Sequence, residues 1–98
     1  MNETIQTILS QLGGIRRIAI MTGATIEYVN EFDIVTIKLP RHSKGKCKTF
    51  SIKYDCVTDL YNITTRSVKG TIMKALEGIY FDQLIPLFEA ETGYYLTF

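Results

Sequence analysis

Between Asn2 and Leu12 the apolar residues Ile5, Ile8, Leu9 and Leu12 recur at i, i+3, i+4 and i+7. That is the stripe of an amphipathic helix with one buried face. Asn2 is a good N-cap. Gly13-Gly14 predicts the end, because glycine takes the left-handed C-cap conformation without a Cβ clash. Behind the glycine pair the period changes. Ile18, Ile20 and Thr22 alternate with Arg17, Ala19 and Met21, which predicts a strand, and Gly23 predicts the tight turn that sends it back. Four more strands follow. Thr25–Asn30 has Ile26 and Tyr28 on one face, and Ile34–Leu39 has Val35, Ile37 and Leu39 on one face and is ended by Pro40. In the run from Cys47 to Cys56, Phe50, Ile52, Tyr54 and Cys56 point in while Thr49, Ser51, Lys53 and Asp55 point out. Leu60–Thr65, rich in Tyr, Ile and Thr, supplies the fifth strand.

Helical spacing returns in the last third. Val68, Ile72, Leu76, Ile79 and Tyr80 form one stripe, continued by Leu84, Leu87 and Phe88. Gly78 and Pro86 interrupt it, so the pattern predicts a kink, or two helices meeting near Phe81-Asp82. Thr92-Gly93 closes the helix, and Tyr94–Phe98 is apolar enough to pack on the body. The sum is α-β-β-β-β-β-α. This is an α+β fold in one domain, 1–98: an N-terminal helix, a five-stranded, mainly antiparallel sheet, and a C-terminal kinked helix or helix pair packed on one face.

Composition narrows the class. At 46% hydrophobic and 21% charged residues the chain is an ordinary globule rather than a disordered one. No apolar run approaches the roughly 18–20 residues of a membrane span, and Met1-Asn2-Glu3-Thr4 lacks a signal-peptide start. A cytoplasmic location and no membrane partner are the expectation. Cys47 and Cys56 sit on one predicted strand with opposite parity, about 30 Å apart at ~3.3 Å per residue, too far for a bridge. Free thiols are expected.

Catalytic signatures are thin. The one histidine, His42, has no cysteine or carboxylate at ligand spacing, so no metal site or cofactor is expected. Lys44-Gly45-Lys46 and Lys69-Gly70-Thr71 lack the order of a phosphate loop, and Asp55 and Asp59 read as strand-end and turn aspartates. With no nucleophile–base pair the chain reads as non-enzymatic, with no catalytic residues. Charge is more informative. A net charge of +1 hides an asymmetry: Lys38, Arg41, Lys44, Lys46, Lys48 and Lys53 occur with no acidic residue among them. From Glu77 onward there are only Glu77, Asp82, Glu89 and Glu91. A basic end and an acidic end are expected. Arg41–Lys48 reads as a solvated hairpin loop or, more sharply, as a basic finger for phosphates, which Arg16 and Arg17 would extend from the same end. Phe50, Tyr54, Tyr61, Tyr94 and Tyr95 read as core first and as stacking surfaces second.

Leu12-Gly13-Gly14 and Met21-Thr22-Gly23-Ala24 resemble a family of small proteins encoded by phages and prophages. Leu39-Pro40, Glu77-Gly78, Phe88-Glu89 and Glu91-Thr92-Gly93 with Tyr95 resemble its remaining landmarks, so the likeness spans nearly the whole chain. Ile15 and Thr25 depart from it, standing where an asparagine and a lysine are usual. The resemblance implies a mobile-element accessory protein in a bacterial host and supplies no catalytic residue. The leading reading is therefore a non-enzymatic phage or prophage protein that binds DNA, RNA or a nucleoprotein through Arg41, His42, Lys44, Lys46 and Lys48. The alternative is a protein inhibitor of a host defence factor, of anti-CRISPR or anti-restriction type, acting through Glu77, Asp82, Glu89 and Glu91. A third reading is a virion or assembly component that self-associates through an exposed sheet edge.

Overall fold

A computed structural model describes residues 1–40, 47–94 and 96. Helix α1 (Glu3–Gln11) forms where the apolar stripe predicts it. Asn2 caps it: its Oδ1 accepts the Ile5 N–H at 2.7 Å, while its Nδ2 donates to Asn30 O and Asp33 Oδ1, tying the helix start to the first hairpin. The end is a Schellman motif. Gly13 N–H donates to Ser10 O and Gly14 N–H to Leu9 O, with both glycines at positive φ.

The chain then corrects the strand reading of 17–22. Ile15–Thr22 is a second helix, α2. Ile18 and Thr22, four residues apart, are buried, and the Thr22 hydroxyl donates to Ile18 O at 2.6 Å. Ile20, between them, is 71% exposed. The same residues satisfy an alternating pattern, but only the helical period separates buried from exposed. Gly23 is accordingly no hairpin turn. At φ +72 it is the left-handed C-cap of α2, donating to Ala19 O.

Five antiparallel strands follow as a meander in the order β1-β2-β3-β4-β5. They are β1 (Thr25–Val29), β2 (Ile34–Lys38), β3 (Cys47–Asp55), β4 (Leu60–Ser67) and β5 (Ile72–Ile79). The sheet has five strands as expected but not the expected five, because β5 occupies the stretch whose spacing predicts a helix. Val68 and Ile72, the supposed buried stripe, are 76% and 52% exposed. What decides the matter is β4: its outer edge pairs with β5 from Tyr61↔Ile79 to Arg66↔Ile72, with register shifts that absorb the irregular spacing. A 3-10 turn (Phe81–Gln83) then leads into α3 (Leu84–Thr92). Pro86 lies in the first turn of α3, where its missing N–H has no intrahelical acceptor to leave unfilled, so the expected kink does not arise.

One sheet face carries the core. Val35, Ile37, Phe50, Ile52 and Ile63 are 0% exposed and pack with Ile5, Ile8 and Leu12 of α1 and Leu84 and Phe88 of α3. Phe50 and Phe88 meet edge to face, centroids 5.1 Å apart. Cys47, which strict alternation places on the outer face, joins this core because the β3–β4 register shifts between Cys47 and Thr49. Cys56, read as inward, lies in the β3–β4 turn and is exposed; neither cysteine is in a disulfide. Leu96 is fully buried, and its N–H donates to Glu89 Oε2 at 2.9 Å, while Tyr94 packs against the core. Tyr95, Thr97 and Phe98 lie outside the described residues. Among the described residues no helix is long and apolar enough to cross a membrane.

Candidate nucleic-acid interface

In an antiparallel meander the connections alternate between the two ends of the sheet, and here the alternation sorts charge. The β2–β3 connection begins after Leu39-Pro40, the β4–β5 turn is 68–71, and Cys47 pairs with Ser67, so both belong to one end. That end carries Lys38, Lys48, Arg66 and Lys69. The opposite end, about 26 Å away along β3 at ~3.3 Å per residue, carries the β1–β2 and β3–β4 turns and the start of α3. Glu31, Asp33, Asp55, Asp59 and Asp82 sit there, with Glu3 at the start of α1.

Register fixes which of these side chains share a face. Lys38 is directly opposite Thr49, and Thr49 opposite Arg66, so the three form one cross-strand row on the sheet face away from the helices. Two strand spacings separate Lys38 from Arg66, about 10 Å. The next row is Glu27, Thr36, Ser51, Thr64 and Ala75; the row after it is Val29, Ile34, Lys53 and Asn62. Thr36 and Ser51 join hydroxyls at 3.1 Å. The middle of the open face is thus a floor of short polar side chains, Thr36, Thr49, Ser51, Asn62 and Thr64, with Lys38, Arg66 and Lys53 among them and Glu27, Val29 and Ile34 toward the β1 edge, and these three rows contain no aromatic ring. Phe50, Tyr54 and Tyr61 lie on the other face, Phe50 fully buried and Tyr61 6% exposed, so neither Phe50 nor Tyr61 offers a stacking surface.

The cations are partly engaged but keep donors. Lys38 Nζ pairs with Glu27 Oε1 at 3.0 Å in an exposed contact, worth at most about 1 kcal/mol and easily exchanged for another anion. Arg66 Nη1 donates to Gly70 O at 3.1 Å, leaving most of its guanidinium fork. Lys48 Nζ donates to Leu39 O, closing the base of the β2–β3 connection. Of the site residues expected from sequence, Lys48 is in this region, whereas Arg41, His42, Lys44 and Lys46 lie outside the described residues. Arg66 and Lys69 escape a sequence reading that takes 68–80 as helix; the signal for them is Val68-Lys69-Gly70, a turn sequence closing a strand.

The four acidic residues of the alternative reading are spread over three elements. Glu77 is on β5, Asp82 in the 3-10 turn, and Glu89 and Glu91 on α3, where i and i+2 positions do not face one another. Glu91 binds Lys74 at 2.7 Å, and Glu89 holds the Leu96 N–H. Among the described residues no group of His, Cys, Asp and Glu could hold a metal ion. Comparison with protein-family models, curated proteins and solved structures finds no match to this chain.

Proposed function

We propose that this protein is a non-enzymatic binder of single-stranded nucleic acid, DNA or RNA, whose basic end neutralises successive backbone phosphates. The observation that carries this reading is the cross-strand row Lys38–Thr49–Arg66. It lies at the same end as Lys48, Lys69 and the two residues flanking Arg41, His42, Lys44 and Lys46. Cations spread over three separate strands and a turn converge there through topology; Glu27 pairs with Lys38 at the sheet edge, and Glu91 of α3, beside Cys47 and Lys74, lies on the helix-covered side. The polar floor suits a sugar–phosphate chain lying flat. Without aromatic rings on that face or a helix to enter a groove, recognition is of backbone rather than sequence. An accessory role during infection of a bacterial host, which the likeness of the Leu12-Gly13-Gly14 and Met21-Thr22-Gly23-Ala24 motifs to small phage and prophage proteins would imply, is part of this proposal.

The test is titration of labelled DNA and RNA oligonucleotides at several salt concentrations. Each phosphate contact on a single strand contributes roughly −0.7 to the log–log slope. Arg66→Ala with Lys69→Ala should flatten the slope by about 1.4, equally for unrelated sequences, and Lys44→Ala with Lys46→Ala should do the same. Absence of binding at low salt, or a slope unmoved by both pairs, overturns the reading.

A further inference from the structure

The acidic end holds an open groove of about 550 Å³ between α1, the β3–β4 turn and the entry to α3. Its walls are aromatic: Tyr54, Tyr61, Tyr80 and Phe81. Tyr54 and Tyr61 are directly opposed cross-strand neighbours with ring centroids 5.8 Å apart. Tyr80 and Phe81 are 57% and 61% exposed. The charges in the lining are Glu3 and Asp59, with no lysine or arginine.

The polar groups are already oriented. Tyr54 Oη donates to Asp59 Oδ1 at 2.5 Å, and Tyr61 Oη donates to Gln11 Oε1 at 2.7 Å. Both phenols therefore spend their protons inside the wall. Asp59 itself is held at φ +58, a left-handed position uncommon for a residue other than glycine, and still has Oδ2 to offer. The groove thus combines π faces and carboxylate oxygens, the two features that attract a cation, and guanidinium makes such contacts more often than ammonium. Its surroundings are apolar as well: Phe32 and Val57, in the neighbouring turns, are 58% and 89% exposed. Exposed apolar side chains beside a charged groove fit a macromolecular partner better than a free ion.

We propose that this groove is a second binding site, which receives an arginine side chain of a protein partner. The guanidinium stacks between Tyr80 and Tyr54, whose ring is backed by the buried Tyr61, and bonds to the carboxylates of Asp59 and Glu3, while Phe81 and Val57 take the partner's flanking residues. The protein is then two-ended, with phosphate at one pole and a basic protein at the other, and neither site depends on the other.

The probe is acetyl-arginine amide, followed by NMR on the intact chain, with the neutral isostere acetyl-citrulline amide alongside. Saturable shifts confined to Tyr54, Tyr61, Tyr80 and the Gln11 side-chain amide, given by arginine and not by citrulline, support the site. Tyr80→Ala should weaken binding several-fold and Tyr80→Phe, which keeps the ring, should restore it; Asp59→Asn should weaken it as well. Because Tyr80 is exposed, its variants leave the core intact, and an unchanged amide spectrum checks this. Equal response to citrulline, shifts scattered over Glu31, Asp33 and Asp82, or indifference to both Tyr80→Ala and Asp59→Asn overturns the proposal. A wild-type chain that self-associates with concentration and loses that association in Tyr80→Ala overturns it too, in favour of a second copy as occupant.

Discussion

The contact between Phe50 and Phe88 holds α3 on the sheet, and its strength is open to measurement. Both rings are fully buried, and they meet edge to face at an interplanar angle of 76°. Removing a buried phenyl group costs about 3–5 kcal/mol, the transfer term plus the cavity left behind. An edge-to-face pair adds about 0.5–1.5 kcal/mol beyond area burial. A domain of this size has roughly 5–15 kcal/mol in all, so Phe88→Ala should consume a large share, and leucine replacements are the better instrument. Phe50→Leu and Phe88→Leu should each destabilise by about 1–2 kcal/mol, and the double variant by less than the sum, the coupling being about 0.5–1.5 kcal/mol. Urea unfolding followed by circular dichroism reads all four proteins. An unchanged m-value would show that the extent of unfolding is the same. Additive losses within ~0.3 kcal/mol, or a Phe88→Ala variant within ~1 kcal/mol of wild type, would mean that α3 does not pack on β3 as described.

Gly23→Ala should cost about 1–2 kcal/mol through backbone strain, because among the described residues the added Cβ meets only Pro40 Cγ, at an ordinary 3.7 Å. Gly23→Asn should cost less, since asparagine tolerates the left-handed region. Equal melting of both variants and wild type would refute the C-cap. The hydrogen bond to Asp59 pushes the Tyr54 hydroxyl up to about 12. The folded state thus favours the neutral phenol: its stabilisation is complete below the ordinary tyrosine value of about 10 and is lost as pH rises toward 12. Tyrosinate absorbance should show late titration of Tyr54 and of Tyr61, which burial also raises; Asp59→Asn should move the Tyr54 step to lower pH, and a titration unchanged by that substitution would remove the bond.

Local features alone determined several elements. The α1 stripe, the Asn2 cap and the Gly13-Gly14 stop are written in neighbouring residues, because a helix and its caps are satisfied by atoms within a few positions. The same holds for β1 to β4, whose alternation needs only a buried face and a solvated one, and for the closing of α3 at Thr92-Gly93. Two segments were decided elsewhere. Ile15–Thr22 carries both periods in eight residues, too short for either to prevail; packing chose the one that buries Ile18 with Thr22. Ile72–Ile79 carries apolar residues at helical spacing, yet an unpaired edge on β4 offers it a ladder of hydrogen bonds that no local pattern reveals. The sites divide likewise. The cation-rich stretch that includes Lys38 and Lys48 is legible in the chain, whereas the acidic end, built from Glu3, Glu31, Asp33, Asp55, Asp59 and Asp82, shares only Asp82 with the acidic residues expected from sequence. The row Lys38–Thr49–Arg66 joins residues on three strands, and the groove of Tyr54, Tyr61 and Tyr80 joins a hairpin to the entry of α3. Side-chain neighbours of that kind are set by register and connection, and register is a property of the folded sheet.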